Sequence, residues 1–274
     1  MVLRRNGLRG LVTAFVCAFV LQWCAAMAQA APEITADAAI VVDQQTGQVL
    51  YEKNADQRMY PASMTKMMTC LLALENGNPD TVVQVSANAA DVECTRLHQG
   101  DQIRLSELLR QMMTISDNGA ATAVGETLAG NIPAFAEMMN AKAAALGCTG
   151  THFANANGMP DANHYSTARD MAKIASYAIG DTRFRAIIGL DVVRVSYVYP
   201  AGRTEYCVNT NELLRTYPGC IGGKTGWTRA AAGCLTTAAK RHGRTLVAVV
   251  MHATDEDTRF SDAAKLLDYG FSRP

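Results

Sequence analysis

Three short strings hold the side chains best suited to acyl-transfer chemistry: Ser63-Met64-Thr65-Lys66, Ser116-Asp117-Asn118 and Lys224-Thr225-Gly226. Ser63 follows Pro61 and opens a stretch, 64 to 75, that is rich in helix formers and free of Gly and Pro. This predicts a serine at a helix N-terminus, where the dipole favours developing negative charge. Lys66, three residues on, falls on the same helical face as the Ser63 hydroxyl. A neutral amine there can take the hydroxyl proton. An exposed lysine titrates near 10.4 and stays charged at neutral pH, so the reading requires partial burial and a second cation, for which Lys224 is the candidate.

The other two strings read as turn and strand. Leu105, Leu108, Leu109, Met112 and Met113 repeat at helical spacing, and Ser116-Asp117-Asn118-Gly119 then forms a turn before an alanine-rich helix from 120 to 128. Capping of that helix by Asp117 or Asn118 is compatible with a rigid turn that carries a proton-relaying hydroxyl and an amide. Lys224-Thr225-Gly226 is preceded by Gly222-Gly223 and followed by Trp227-Thr228. Glycine on both sides lets another backbone approach a strand edge, as in recognition of a peptide by strand addition.

The elements around these strings alternate in type. Residues 38–42 and 48–51 flank a Gln44-Gln45-Thr46-Gly47 turn as a β-hairpin, residues 64 to 180 are mainly helical, and 233–237 and 245–251 form a second hairpin about Arg241-His242-Gly243. Residues 262–269 close as a helix. Strands at both ends with helices between predict an antiparallel sheet completed by the first and last parts of the chain, packed on a helical half: an α/β class of the α+β kind.

The chain resembles the serine-type D-alanyl-D-alanine carboxypeptidases, the low-molecular-mass penicillin-binding proteins of the S11 type, whose signature joins S-x-x-K, S-x-N and K-T-G. The resemblance covers roughly residues 33 to 272. It extends to Asp43-x-x-Thr46-Gly47, to Pro61-Ala62-Ser63-Met64-Thr65-Lys66 and to the long string from Thr151 to Ala172, which looks like the family's loop beneath the active site. It implies the β-lactamase/transpeptidase-like fold and an acyl-enzyme on Ser63. Lys66 would be the base and Ser116 a proton relay. Asn118 would hold the peptide, and Lys224 with Thr225 and Gly226 would bind the terminal carboxylate and the substrate strand. Backbone N–H groups of Ser63 and Trp227 would be the oxyanion donors. The implied reaction removes the terminal D-alanine of peptidoglycan stem pentapeptides, with β-lactams as covalent inhibitors and no cofactor.

Three alternatives stay in view: an endopeptidase of peptidoglycan cross-links, a β-lactamase, and a non-catalytic wall-binding relative. A class A β-lactamase uses a glutamate in the loop after S-x-N to activate the deacylating water; no glutamate lies between Glu137 and Glu205. His152 and His164 have no cysteine or acid at ligand spacing, so they read as loop or core residues and no metal is expected. Asp170 reads as a brace at a helix start.

Arg4, Arg5 and Arg9, the apolar run 11–20 and Ala28-Gln29-Ala30 predict a secretory signal peptide over 1–30, leaving a catalytic domain over 31–274 with no second β domain and no C-terminal membrane anchor helix. The expected location is therefore periplasmic or otherwise extracytoplasmic, in the cell envelope. Loss of the leader leaves 22 basic and 25 acidic side chains, a formal charge of −3, which speaks against a nucleic-acid partner. Six cysteines remain, and Cys207 with Cys220 is the expected disulfide, whereas Cys70 and Cys234 lie in apolar runs and read as buried thiols.

Overall fold

A computed structural model describes residues 30–274; the leader expectation falls on residues outside that range. From residue 32 onward the chain forms one compact unit. Its elements in order are β1 (Ala38–Asp43), β2 (Val49–Lys53), a 3-10 turn (Ala62–Thr65), α1 (Lys66–Asn76), β3 (Val82–Gln84), α2 (Ala87–Ala90), β4 (Gln102–Arg104), α3 (Leu105–Ile115), α4 (Asn118–Ala129), α5 (Ile132–Ala145), α6 (Ala168–Gly180) and α7 (Thr182–Ile188). Then follow β5 (Val192–Tyr199), β6 (Thr204–Val208), α8 (Leu213–Thr216), β7 (Cys220–Thr228), β8 (Ala232–Arg241), β9 (Arg244–Ala253) and α9 (Thr258–Phe271).

A five-stranded antiparallel sheet in the order β2-β1-β9-β8-β7 joins both ends of the chain, as the two hairpin signals predict. Strand periodicity sorts its side chains to two faces. Ile40, Val42, Val247, Val249 and Met251 pack into the helical half, with Met67, Met68, Met112 and Val124. Ala39, Val41, Leu246, Ala248 and Val250 pack beneath α9, against Phe260, Ala263, Leu266 and Leu267. Covered on both faces, β9 reads as an almost unbroken apolar run. β7 is left at the sheet's edge, beside the 3-10 turn that carries Ser63.

A second antiparallel sheet, β3-β4-β5-β6, flanks the helical half. The segment from 64 to 180 thus holds two short strands as well as helices. The β5–β6 hairpin escapes a pattern reading because its outward positions Val192, Val198, Tyr206 and Val208 are also apolar, though exposed. The cysteine pairing needs correction. All six cysteines among the described residues carry free thiols: Cys207 turns from β6 into the helical core, while Cys220 opens β7 and packs toward the α9 core. The two side chains pack against different cores from strands of different sheets and are not bonded to each other. Cys70 and Cys234 are buried thiols, as expected. Among the described residues no helix is long and apolar enough to cross a membrane.

Candidate active site

The Ser63 turn is held from both sides by glycines. Ala62 adopts φ +47, a conformation unusual for a residue with a Cβ, so the backbone presenting Ser63 must be imposed by its surroundings. Gly158, at φ +91, lies so close that a Cβ there would sit 1.9 Å from the Ala62 carbonyl oxygen; one at Gly226 would sit 3.1 Å from the Ser63 nitrogen. The backbone that presents Ser63 is therefore wedged between the loop that includes Gly158 and strand β7. Ser63 lies in a 3-10 turn, one turn before α1, rather than at the first residue of an α-helix.

Lys66 opens α1 and is fully buried. Its Nζ donates to Ser63 Oγ (2.8 Å), Asn118 Oδ1 (2.7 Å) and the Asn157 carbonyl (2.7 Å). Burial pushes its pKa down from 10.5 to about 7, with the nearby Asp117 carboxylate and Cys94 thiol pulling the other way. Burial is the leading cause, as one half of the sequence expectation has it, whereas Lys224, the other half, does not contribute to the Lys66 shift. It is Lys224, also buried, that feels the neighbouring charge: desolvation first, then Lys66 and Arg259, hold its pKa well below the ordinary lysine value. At neutral pH a substantial share of Lys66 is thus unprotonated, and its lone pair lies within hydrogen-bond reach of the hydroxyl it would deprotonate.

Ser116 ends α3 in the left-handed conformation, φ +64, and its hydroxyl has no hydrogen-bond partner among the described residues. The turn is locked by Asp117, which caps α4 through Ala120 N–H (2.8 Å) and also accepts from Thr95 Oγ1 (2.7 Å), Arg96 N–H (2.9 Å) and Gln111 Nε2 (2.9 Å). Capping and site building coincide here. Asn118 is turned away from a purely substrate-holding role: its Oδ1 takes Lys66, and its Nδ2 donates to the Glu93 carbonyl (2.8 Å).

On the opposite wall, Lys224 Nζ donates to the Thr225 carbonyl (2.9 Å), and Thr225 Oγ1 is 2.6 Å from Thr210 Oγ1. Arg259, on α9, donates to the Gly226 carbonyl (3.0 Å). Its Nε is buried without a partner. Trp227 is half-exposed over the opening. Together these walls enclose a cleft of about 460 Å³ that includes Ser63, Ser116, Asn118, Thr225, Gly226 and Trp227. It also takes in Glu93, Cys94, Met159, Thr210 and Arg229, which no motif announces. Thr210 had one available signal, its nearness to the K-T-G string; the segment 93–96 had none, because its role is made by folding back on Asp117.

The two histidines are structural. His164 bonds Thr65 Oγ1 through Nε2 (2.7 Å) and accepts Ala154 N–H at Nδ1 (3.1 Å), and burial brings its pKa down to about 4. His152 Nδ1 is 2.5 Å from the Asn163 carbonyl. Asp170, in the first turn of α6, braces the loop by accepting from Gly150 N–H (2.7 Å) and Thr151 Oγ1 (2.9 Å).

A buried lysine bonded to a serine hydroxyl, a second serine lining the same cleft and a strand edge backed by Lys224 and Arg259 are an arrangement able to carry out acyl transfer. Comparison with known proteins agrees with that chemistry. The family model of peptidase S11, D-alanyl-D-alanine carboxypeptidase, matches residues 25–255. D-alanyl-D-alanine carboxypeptidase DacF of Bacillus subtilis is 35% identical over 246 residues, 87% of this chain and 62% of that one. The chain therefore spans less than two thirds of the length of that relative. The D-alanyl-D-alanine carboxypeptidase of Streptomyces sp. strain K15 is 34% identical over 290 residues, covering 99% of this chain and 100% of the relative. The crystal structure of the Streptomyces K15 DD-transpeptidase superposes with a TM-score of 0.85 at 33% identity, over 89% of this chain and 100% of that one. On the sequence match, the shared fold and the serine–lysine geometry, this chain belongs to the S11 family of serine peptidases, the D-alanyl-D-alanine carboxypeptidases.

Proposed function

We propose that this chain is a serine D,D-carboxypeptidase that removes the terminal D-alanine from peptidoglycan stem pentapeptides, and that it is covalently inhibited by β-lactams. The observation that carries this reading is the contact of Lys66 Nζ with Ser63 Oγ at 2.8 Å, by an amine whose pKa burial has lowered to about 7. Neutral Lys66 accepts the Ser63 proton as Oγ attacks the carbonyl of the penultimate D-alanine. The oxyanion is met by the backbone N–H groups of Ser63 and Trp227; loss of one such donor typically costs about a hundredfold or more in rate. Ser116 Oγ, free of other partners, relays a proton to the leaving amine. Lys224, Thr225 and Arg259 form the cationic end that receives the terminal carboxylate. Water then releases the acyl group. Residues 4–30 carry the basic, apolar and small-residue pattern of an export leader, which supports action outside the cytoplasm.

Incubation with a fluorescent penicillin tests the nucleophile: the protein labels covalently, Ser63→Ala does not, and both melt within a few degrees of each other. Labelling of Ser63→Ala would refute the assignment. Mass analysis of digested muropeptides should show D-alanine lost from pentapeptides while cross-linked dimers persist; split dimers beside intact pentapeptides would make the enzyme an endopeptidase.

A further inference from the structure

The cleft does not end at Trp227. A groove of about 510 Å³ lies beside it, lined by later residues of two segments that form the cleft. The β7–β8 connection lines the cleft through Arg229 and the groove through Ala230 and Ala231; the loop after Gly158 lines the cleft through Pro160 and the groove through Ala162 and Tyr165. The direction of a bound peptide follows from the proposed function, on which this inference rests. With the terminal carboxylate at Lys224 and Thr225 and the reacting carbonyl at Ser63 beside Gly226, the rest of the peptide runs past Trp227 and Thr228 toward Ala230. Strand β7 runs two residues beyond Gly226, about 7 Å at 3.4 Å per extended residue, and ends at Thr228, where the turn that carries Ala230 and Ala231 begins.

One groove wall carries Arg58, whose guanidinium stacks 4.7 Å over the Tyr165 ring and has no hydrogen-bond or ion-pair partner among the described residues. The groove is also lined by Asp37, hydrogen-bonded to His252 Nδ1 (2.7 Å). A groove lined by an unpaired cation and by a carboxylate already bonded to a histidine suits a peptide that bears an anion, with that anion placed at Arg58.

We propose that this groove binds the part of the stem peptide that precedes the acylated D-alanine, and that Arg58 pairs with the free α-carboxylate of its γ-linked glutamate. Arg58 then sets substrate preference without touching the reacting atoms. Aromatic stacking pre-orders the guanidinium for such a pairing.

The test compares three substrates on the intact protein: L-Ala-γ-D-Glu-L-Lys-D-Ala-D-Ala, the same peptide with the glutamyl carboxylate amidated, and the short diacetyl-L-Lys-D-Ala-D-Ala. The protein should favour the free acid over the amide by roughly tenfold in kcat/KM, the size expected for a charge-assisted hydrogen bond in a partly exposed groove. Arg58→Gln should abolish that preference, Arg58→Lys should keep most of it, and all three proteins should cleave the short substrate and acylate with penicillin at equal rates. A retained preference in Arg58→Gln, or equal use of acid and amide by the unaltered protein, would overturn the groove assignment. A protein that neither cleaves the short substrate nor labels with penicillin would instead overturn the catalytic reading beneath it.

Discussion

The proposed role of Lys66 as base makes two demands: it must be neutral, and it must be held within reach of Ser63. Burial supplies the first, and the acceptors Asn118 Oδ1 and the Asn157 carbonyl supply the second. The acylation rate with a penicillin should therefore rise with pH through about 7, as Lys66 loses its proton, which stopped-flow labelling across pH 5 to 9 would check. The same shift bears on stability. The unfolded chain keeps this proton up to about 10.5 and the folded chain releases it near 7, so the unfolded state binds more protons between those values and folding stability rises with pH across that window. Below 7 this contribution is flat. Lys66→Ala removes the base and its geometry together, and raising the pH should restore little of the lost acylation.

At the scale of elements, the S-x-N turn depends on a strap formed by residues 93–96. Asp117 is nearly fully buried and accepts from four donors, two of them in that strap, while the Cys94 carbonyl accepts from Asn118 N–H (3.2 Å). Asp117→Ala leaves those donors unmatched and uncaps α4. A cost of about 2–4 kcal/mol is expected, with a fall in acylation from misplacement of Ser116 and Asn118. Urea denaturation monitored together with penicillin labelling measures both. Equal stability and equal labelling in the variant would show that the strap does not hold the turn.

For the molecule as a whole, the sheet-and-helix arrangement stands without covalent cross-links among its described cysteines. Cys70, Cys148, Cys207 and Cys234 are buried, Cys220 is partly so, and Cys94 is exposed at the cleft. Labelling of the chain from residue 31 onward under denaturing, non-reducing conditions should therefore count six thiols, with Cys94 the first to react in the native state. A melting temperature unchanged by reductant is expected with it. Peptide mapping that recovered a Cys207–Cys220 bridge would contradict the separation of these residues between two cores.

The sequence alone determined the family and the outline of the fold: three motif strings pointed to a serine peptidase and supplied the candidate nucleophile, base, relay and strand edge, and alternating apolar runs at both ends defined the antiparallel sheet. Those features are local, a matter of residue type at fixed spacing. What tertiary structure decided was everything made by contacts between distant segments. The depressed pKa of Lys66 comes from burial beneath Asn118 and Asn157, the accessible Ser63 backbone from two glycines 95 and 163 positions away in the chain, and the rigid turn from Thr95 and Arg96. The expected disulfide failed for the same reason. Nearness in sequence suggested Cys207 beside Cys220, whereas the chain passes between them from one sheet to the other, and their side chains pack into separate cores.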